Sequence, residues 1–305
     1  MRVVTLLPSA TEIVCALGLD PVGVSHECDH PDRVRDLPAV NRSHVDPGAE
    51  SATIDEQVVS AKREHGGVYE IDLETLSVLD PDLIVTQGIC DVCAVDSVLV
   101  ERAVERLGLD CRVLTTDPHS VGDVLADVER IGDALDRPDR AGGLVAGLRS
   151  RIERVRGRTR DVEERPRAVV LDWLSPPMVA GHWIPEMVEW AGGEYGMAEP
   201  GARSTVREWT AVPEYDPEVL IAAPCGFGLE RTVRETSELT DRPDFGDLAA
   251  AGAGAVYAVD GNHYVNRPGP RLVDTLELFA AILHPDRFEV CDGSAAERIG
   301  ATPLV

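Results

Sequence analysis

The segment LDPDLIV at residues 79–85 recurs as YDPEVLI at residues 215–221, and this repeat is the strongest indication of the fold. Each copy places Asp-Pro ahead of an apolar run, so each is predicted to end a helix and to begin a strand. The two halves also start alike, because Arg2 and Arg167 each precede an apolar strand, a loop and a helix that closes on glycine. We therefore expect two similar lobes.

The chain around these repeats alternates short β-rich runs with amphipathic helical stretches, a pattern typical of parallel sheets flanked by helices. The strand candidates of the first half are Val3–Leu7, Val22–Ser25, Leu83–Thr86 and Cys111–Leu114. Its helix candidates are Ala10–Leu17, Ile54–Glu64 and Ser97–Leu107.

Residues 120–161 lack strand patterns and predict a long helical region, broken at most at Pro138. The predicted fold class is α/β, with two Rossmann-like lobes that have parallel-type sheets and are joined by a long helical backbone. The predicted divisions are residues 1–118 for the N-terminal lobe, 119–165 for the linking helices and 166–305 for the C-terminal lobe.

The charge balance is strongly acidic, with 54 Asp and Glu against 29 Lys and Arg in 305 residues, a formal net charge of −25. A nucleic-acid partner is therefore not expected. Lys62 is the sole lysine, and an acidic surface with almost no ammonium groups indicates a halophilic protein.

Membrane insertion is not predicted, because no apolar run approaches the roughly 18 to 20 residues that a spanning helix needs. The N-terminus shows no secretion signal, which predicts a cytoplasmic protein as written, or an extracytoplasmic one if a leader has been removed.

The loops that follow the strands contain most of the unusual chemistry, and ligands of parallel α/β sheets bind at those strand ends. Aromatic residues form only 4 % of the chain, yet four of them fall in such loops of the second lobe. These are Trp173, Trp183, Phe227 and Tyr264. Rigid rings there favour a flat, largely apolar ligand, although packing of the sheet ends would also explain some of them.

Polar side chains of the same loops are further candidates for ligand binding. They are Ser9, His26, Gln87, His182, Asn262 and Arg267. His182 is the strongest histidine candidate because it lies between Gly181 and Trp183. Ser9 could instead cap the first helix.

Four cysteines lie on three different strand-end loops: Cys28, Cys90, Cys93 and Cys225. The two-residue spacing of Cys90 and Cys93 allows both thiolates to bind one soft metal, so a zinc ion or an iron–sulfur centre is one interpretation. Buried apolar thiols are the other. No GxSxG, HExxH, GxGxxG or GxxxxGK[ST] signature is present, and we expect a protein that is not an enzyme.

Several motifs together resemble one family. The opening RVVTLLPSATEIVCALGLDPVGVSHECDHP, the paired DLETLSVLDPDLIV and REWTAVPEYDPEVLI, and YVNRPGPRLVDTLELFAAILHP are similar to segments of the vitamin B12 and iron-chelate binding components of ABC importers, the helical-backbone metal receptors. SHECD, CxxCAV, PPxVAGHW, APCGF and DGN resemble motifs of a cobalamin-binding sub-group.

The resemblance implies reversible binding of a cobalamin-type corrinoid between two lobes, in cooperation with an ABC permease. The aromatic rings would pack on the macrocycle, and Asn262 and Arg267 would contact its polar substituents. Glu74 and Glu208 match the carboxylates that dock such proteins onto a permease. The alternative is a cytoplasmic protein whose four cysteines hold a metal or iron–sulfur centre for cofactor handling or catalysis.

Overall fold

The structure is a computed structural model that describes residues 1–88, 95, 97–289 and 295–299. The chain forms two compact units. The first contains described residues of 1–118, 122–147 and 268–270, and the second contains residues 119–121, 148–267 and the described residues from 271 onward.

The first unit is built on a four-stranded sheet in which every neighbouring pair is parallel, in the order β2-β1-β5-β6. A separate antiparallel pair, β3-β4, lies outside this sheet. The strands are β1 (Val3–Thr5), β2 (Gly23–Val24), β3 (Asn41–Ser43), β4 (Tyr69–Ile71), β5 (Leu83–Gln87) and β6 (Arg112–Thr116). The helices are α1 (Pro8–Ala16), α2 (Ser51–His65), α3 (Leu73–Leu79) and α4 (Ser97–Leu107). Apolar side chains of β1, β5, α3 and α4 share one core.

The predicted helical region is present as two helices, α5 (Val121–Ala134) and α6 (Pro138–Thr159). The interruption falls at Pro138, as expected, because the proline ring fits the first turn of a helix but not its interior. Residues 138–147 of α6 group with the first unit and residues 148–159 with the second.

The second unit contains a six-stranded sheet in the order β12-β11-β10-β7-β8-β9. Its strands are β7 (Ala168–Leu174), β8 (Pro177–Val179), β9 (Thr205–Val206), β10 (Val219–Ala222), β11 (Val256–Val259) and β12 (Ala296–Arg298). The three central strands are parallel, and the outer strands β8, β9 and β12 are antiparallel to their neighbours. The helices are α7 (Ile184–Trp190), α8 (Ala211–Tyr215), α9 (Leu229–Glu235), α10 (Ser237–Thr240), α11 (Ala249–Gly252) and α12 (Leu272–Leu283). The predicted α/β class with parallel-type sheets is thus confirmed.

The sequence repeat has the same backbone form in both units. Helix α3 ends at Leu79 and helix α8 ends at Tyr215, and the aspartates that follow them, Asp80 and Asp216, are left-handed, with φ of 40° and 48°. Aspartate tolerates this conformation better than most residues, and the following proline prevents the helix from continuing. The parallel strands β5 and β10 then begin.

The arginines that precede the first strand of each unit fix this turn in the same way. The backbone N–H of Arg2 donates to the carboxylate of Asp82 at 2.6 Å, and the N–H of Arg167 donates to the carboxylate of Glu218 at 3.0 Å. In both copies the arginine carbonyl accepts from the residue just before the adjacent strand and from the first residue of that strand. The predicted similarity of the halves therefore extends to individual hydrogen bonds.

Candidate ligand-binding site

The loop after β1 differs from its predicted form at Ser9. Ser9 does not cap α1: the helix begins at Pro8, with Leu7 at the N-cap position, and Ser9 lies inside the first turn. Proline at the first helical position has a suitable φ and no N–H to satisfy, so it sets the start of the helix one residue earlier. Ser9 is 4 % exposed, and a Cβ atom placed on Gly269 would lie 3.5 Å from it.

Hydroxyl and thiol groups meet beneath this loop. The hydroxyls of Thr5 and Thr11 are 2.6 Å apart, and the Thr11 hydroxyl is 3.0 Å from the sulfur of Cys28. Cys28 is buried and packs with Val24 and Val34. This thiol has the environment of a small core residue.

His26 and Gln87 lie at the carboxyl ends of two other strands of the first unit. The backbone N–H of exposed His26 donates to the side-chain oxygen of Asn41 at 3.0 Å, and its ring lies 5.8 Å from that of Tyr69. Gln87 is the last residue of β5 and is 6 % exposed. Cys90 and Cys93, which come next along the chain, lie outside the described residues.

An aromatic cluster lies at the carboxyl ends of the adjacent parallel strands β7 and β10. The rings of Trp173 and Phe227 are tilted by 55° with centroids 5.3 Å apart, and the Arg231 guanidinium lies 3.5 Å from the Phe227 centroid. Phe227 is only 2 % exposed, whereas Trp173 is partly exposed. We call this cluster of Trp173, Phe227 and Arg231 the Trp173 platform. Phe227 is its buried part and Trp173 its accessible part.

The β7–β8 hairpin, which contains Trp173, is stabilised by a hydrogen bond from a buried tyrosine. The hydroxyl of Tyr195 donates to the carbonyl of Ala180 at 2.7 Å, beside the β7–β8 pair. Burial raises the pKa of Tyr195 well above its usual range, so the phenol stays neutral and remains a donor.

His182 has an unusual backbone and an unexpected partner. Its φ of 53° is left-handed, and its N–H donates to the carbonyl of Ala202 at 2.5 Å. Its Nδ1 lies 3.3 Å from the Nδ1 of His119, so one of the two nitrogens must carry the proton. Trp183 is buried, and its indole N–H donates to the carbonyl of Val265 at 3.0 Å.

The loop after β11 brings the remaining polar candidates together. Asp260 accepts from the backbone N–H of His263 at 2.7 Å and lies 2.6 Å from its ring Nδ1. Buried Arg267 donates to the side-chain oxygen of Asn262 at 3.1 Å. Tyr264 is partly exposed. The loop is therefore ordered by its own side chains before any ligand contact is considered.

The interpretation of the cysteines as a metal or iron–sulfur centre is not supported. Within the described ranges, no group of three or more His, Cys, Asp or Glu side chains could hold a metal ion. Cys28 is buried and Cys225 is half-buried. Elsewhere, burial is the main cause that raises the pKa of Cys15 to about 11, which suits a structural thiol rather than a metal ligand.

The two predicted docking carboxylates are both exposed. Glu74 lies in the first turn of α3, and Glu208 lies just before α8, where its carbonyl accepts from the N–H of Ala211. Each therefore precedes the left-handed aspartate turn of its own unit.

Two neighbours of the candidate residues were missed in the sequence. His119 lies 63 positions before His182 and carries no local signal. Arg231 follows Phe227 by four positions and approaches it from α9, a spacing that would have pointed to contact had the helix start been predicted.

Comparison with known proteins identifies related chains. The sequence model of the family described as "Periplasmic binding protein" matches residues 3–262. The uncharacterized ABC transporter substrate-binding lipoprotein YvrC of Bacillus subtilis (strain 168) is 23 % identical over 296 residues, covering 94 % of this chain and 81 % of that protein. Among the described helices, none is long and apolar enough to cross a membrane.

Solved structures with different ligands share the fold. The periplasmic vitamin B12 binding protein BtuF of Vibrio cholerae matches with a TM-score of 0.66 and 20 % identity, over 93 % of this chain and 96 % of that one. The periplasmic heme-binding protein RhuT of Roseiflexus sp. RS-1 matches with a TM-score of 0.70 and 21 % identity, over 93 % and 98 %.

Proposed function

Because the chain belongs to the periplasmic binding protein family, we propose that it captures a cobalamin-type corrinoid on the strand-end loops of its second unit. Proteins of this family are substrate-binding proteins and not enzymes, so the prediction of a non-enzymatic protein is confirmed. The chain is a substrate-binding component of the ABC-transporter type; its corrinoid ligand is our proposal.

The Trp173 platform is the observation that carries this proposal. A partly exposed indole, backed by a buried phenyl ring and by a guanidinium, offers a rigid apolar surface at the ends of two parallel strands. Rigid rings gain contact area at little conformational cost, which suits a flat macrocycle. Tyr264 lies partly exposed on another loop of the same unit.

The charges near the platform favour a ligand with neutral amide substituents over an anionic chelate. Arg231 is 3.7 Å from the carboxylate of Glu235, and Arg267 is buried against Asn262. Arg231 therefore has an ionic partner, Arg267 donates to a neutral amide, and the net charge of −25 repels anions at long range. Corrinoid amides can exchange hydrogen bonds with Asn262 without an ionic partner.

A titration with hydroxocobalamin tests the proposal. We expect saturable quenching of tryptophan fluorescence at one ligand per chain. Trp173→Phe should weaken binding by roughly fivefold to tenfold, since the smaller ring loses stacking area. Trp190→Phe is the matched control, because Trp190 ends helix α7 outside the strand-end loops, and its affinity should equal that of the wild type.

Two results would contradict the corrinoid assignment. One is the absence of saturable binding to any corrinoid at tens of micromolar. The other is saturable binding of hemin alone, which would make heme the substrate instead. Equal weakening by Trp173→Phe and Trp190→Phe would remove the Trp173 platform from the site.

Glu74 and Glu208 are proposed as the contacts with a permease. Both are exposed, and each precedes the repeated turn of its own unit, which suits a partner with two basic surfaces. The double change Glu74→Gln and Glu208→Gln should reduce corrinoid uptake at least about tenfold and leave corrinoid affinity unchanged. Glu105→Gln with Glu214→Gln, two exposed carboxylates of α4 and α8, is the control. Equal uptake by both double variants would contradict the docking role.

We propose an extracytoplasmic location, since the curated relative is a lipoprotein and the cytoplasmic location expected from the N-terminus has no support. Fractionation of cells that make the native chain should place it outside the cytoplasm, and recovery with cytoplasmic markers would contradict this.

A further inference from the structure

Helix α6 becomes basic over its second half, in a chain that is otherwise strongly acidic. Residues 149–167 contain eight arginines and four acidic residues, whereas the whole chain has a net charge of −25. An open cavity of about 350 Å³ lies against this segment, within the second unit. Its lining residues are Glu153, Arg156, Thr159, Arg160, Arg165, Glu189 and Trp190.

The floor of the cavity is fixed by hydrogen bonds between the end of α6 and the end of α7. Buried Thr159 donates from its hydroxyl to the carbonyl of Trp190 at 2.7 Å. Arg165 donates to the carbonyl of Glu189 at 3.1 Å. These bonds satisfy the last carbonyls of α7, so they reduce the negative potential that a helix C-terminus would otherwise present to a bound anion.

Two of the three cavity arginines also have structural roles. Arg156 donates to Glu153 at 2.8 Å and lies 5.1 Å from the centroid of the Trp190 ring. Arginines near a helix C-terminus complement the helix dipole, which explains Arg156 without a ligand. Arg160 directly follows α6, so the helix dipole favours it as well, but it is exposed and has no ion-pair or hydrogen-bond partner among the described residues.

We propose that this cavity binds a phosphate ester, with Arg156, Arg160 and Arg165 holding the phosphate oxygens and Trp190 contacting the organic part. Guanidinium groups match the geometry of phosphate oxygens and remain charged at every physiological pH. The volume exceeds that of phosphate alone and leaves space beside the indole. A soluble phosphate ester and the headgroup of an anionic phospholipid share this chemistry.

The indole N–H resonance of Trp190, identified by its absence in Trp190→Phe, reports on the cavity during a titration with glycerol 3-phosphate. Sedimentation with phosphatidylglycerol vesicles, against phosphatidylcholine vesicles, tests the lipid source.

Arg160→Gln should weaken binding of whichever probe binds by about tenfold or more, because it removes a charge-assisted contact. Arg154→Gln removes the same charge from an exposed site of α6 outside the cavity and should change binding less than about twofold.

Saturable binding of glycerol 3-phosphate supports a soluble ester, and binding of phosphatidylglycerol vesicles alone supports a lipid headgroup. Binding of neither probe overturns the proposal. Equal weakening by Arg160→Gln and Arg154→Gln also overturns it, since the effect would then come from net charge. Circular dichroism is the control that tests whether each variant is folded. Hydroxocobalamin affinity should be the same in both variants, so this site and the corrinoid site fail or succeed independently.

Discussion

The two units share a backbone device and differ in the chemistry at the strand ends. The arginine and left-handed aspartate turn is the same in both, down to individual hydrogen bonds. At the end of the first strand, however, the first unit buries Thr5, Thr11 and Cys28 as a small polar cluster, whereas the second unit presents Trp173 on Phe227. The repeat therefore preserves the backbone scaffold, whereas the side chains at the strand ends differ between the two copies.

The largest effect on stability is expected from a glycine substitution, which we compare between the two units. A Cβ atom on Gly261 would lie 2.5 Å from the carbonyl oxygen of Ala223 and closer still to that of Pro224, so the loops after β10 and β11 are packed backbone to backbone. Gly261→Ala should lower the free energy of unfolding by about 3 kcal/mol or more, because backbone cannot move aside as a flexible side chain can.

Gly88, which follows β5 in the first unit, is the control for this change. A Cβ atom there would make only ordinary contacts, the nearest at 3.5 Å from the Thr115 methyl group. Thermal and urea unfolding of Gly88→Ala should therefore stay close to the wild type. Similar losses in both variants would mean that the strand-end loops of the two units are equally tight.

A smaller effect is expected from the ion pairs that fix the second half of α6. Arg151 donates to Glu277 at 2.6 Å and also contacts Asp274, and both carboxylates belong to α12. The hydrogen bonds to these carboxylates raise the pKa of Arg151 above its usual range. Arg151→Met should lower the free energy of unfolding by about 2 kcal/mol, a value reduced by partial exposure of all three side chains.

Arg149→Met, at an exposed site of the same helix, is the matched control and should have an effect below about 0.5 kcal/mol. Urea denaturation of both variants distinguishes the outcomes. If the two variants unfold alike, the Arg151 contacts contribute nothing and α6 is held by its apolar face alone.

The smallest effect concerns pH and a buried carboxyl of the first unit. Asp127 is 4 % exposed, and burial raises its pKa to about 6 despite the attraction of Arg130. The folded pKa lies above the unfolded value, so the folded protein holds this proton more tightly and stability falls as pH rises from about 4 to about 6. Asp127→Asn keeps an acceptor for Arg130 but removes the titrating carboxyl. Between pH 4 and pH 6 the free energy of unfolding should therefore fall by about 1 kcal/mol less than in the wild type. This is smaller than the full pKa shift would give, because Arg130 is half exposed.

Asp133→Asn, at an exposed carboxyl of the same helix, should leave the pH dependence unchanged. Urea denaturation at pH 4, 5, 6 and 7 measures the slopes. If the free energy of unfolding falls more steeply with pH in Asp127→Asn than in the wild type, the carboxylate is stabilising and its pKa is lowered on folding.

Local sequence signals predicted most of the fold. The helix predicted at residues 97–107 has those bounds, and Pro138 interrupts the helical region as expected. The outer strands β8, β9 and β12 were not predicted, because two- and three-residue edge strands carry too few residues to show a period. Strand β1 is shorter than predicted, since Pro8 begins the helix so early.

The candidate site was predicted less completely than the fold. The strand-end rule located the loops, but side-chain burial could not be read from them: Trp183 and Phe227 are buried, while Trp173 and Tyr264 are partly exposed. All four roles in ligand binding stay predictions. The four-cysteine centre lacks support because Cys28 is packed among apolar side chains.

Features that depend on neighbours along the chain could be predicted from the sequence: the helix and strand types, the repeated Asp-Pro turns and the family motifs, all set by residues within one or two turns of each other. Contacts between side chains that are distant along the chain could not, because they depend on the tertiary structure. The approach of His119 to His182, of Arg231 to Phe227 and of Arg165 to the end of α7 depends on how whole elements pack. Packing is a collective property of the core, and no local period encodes it.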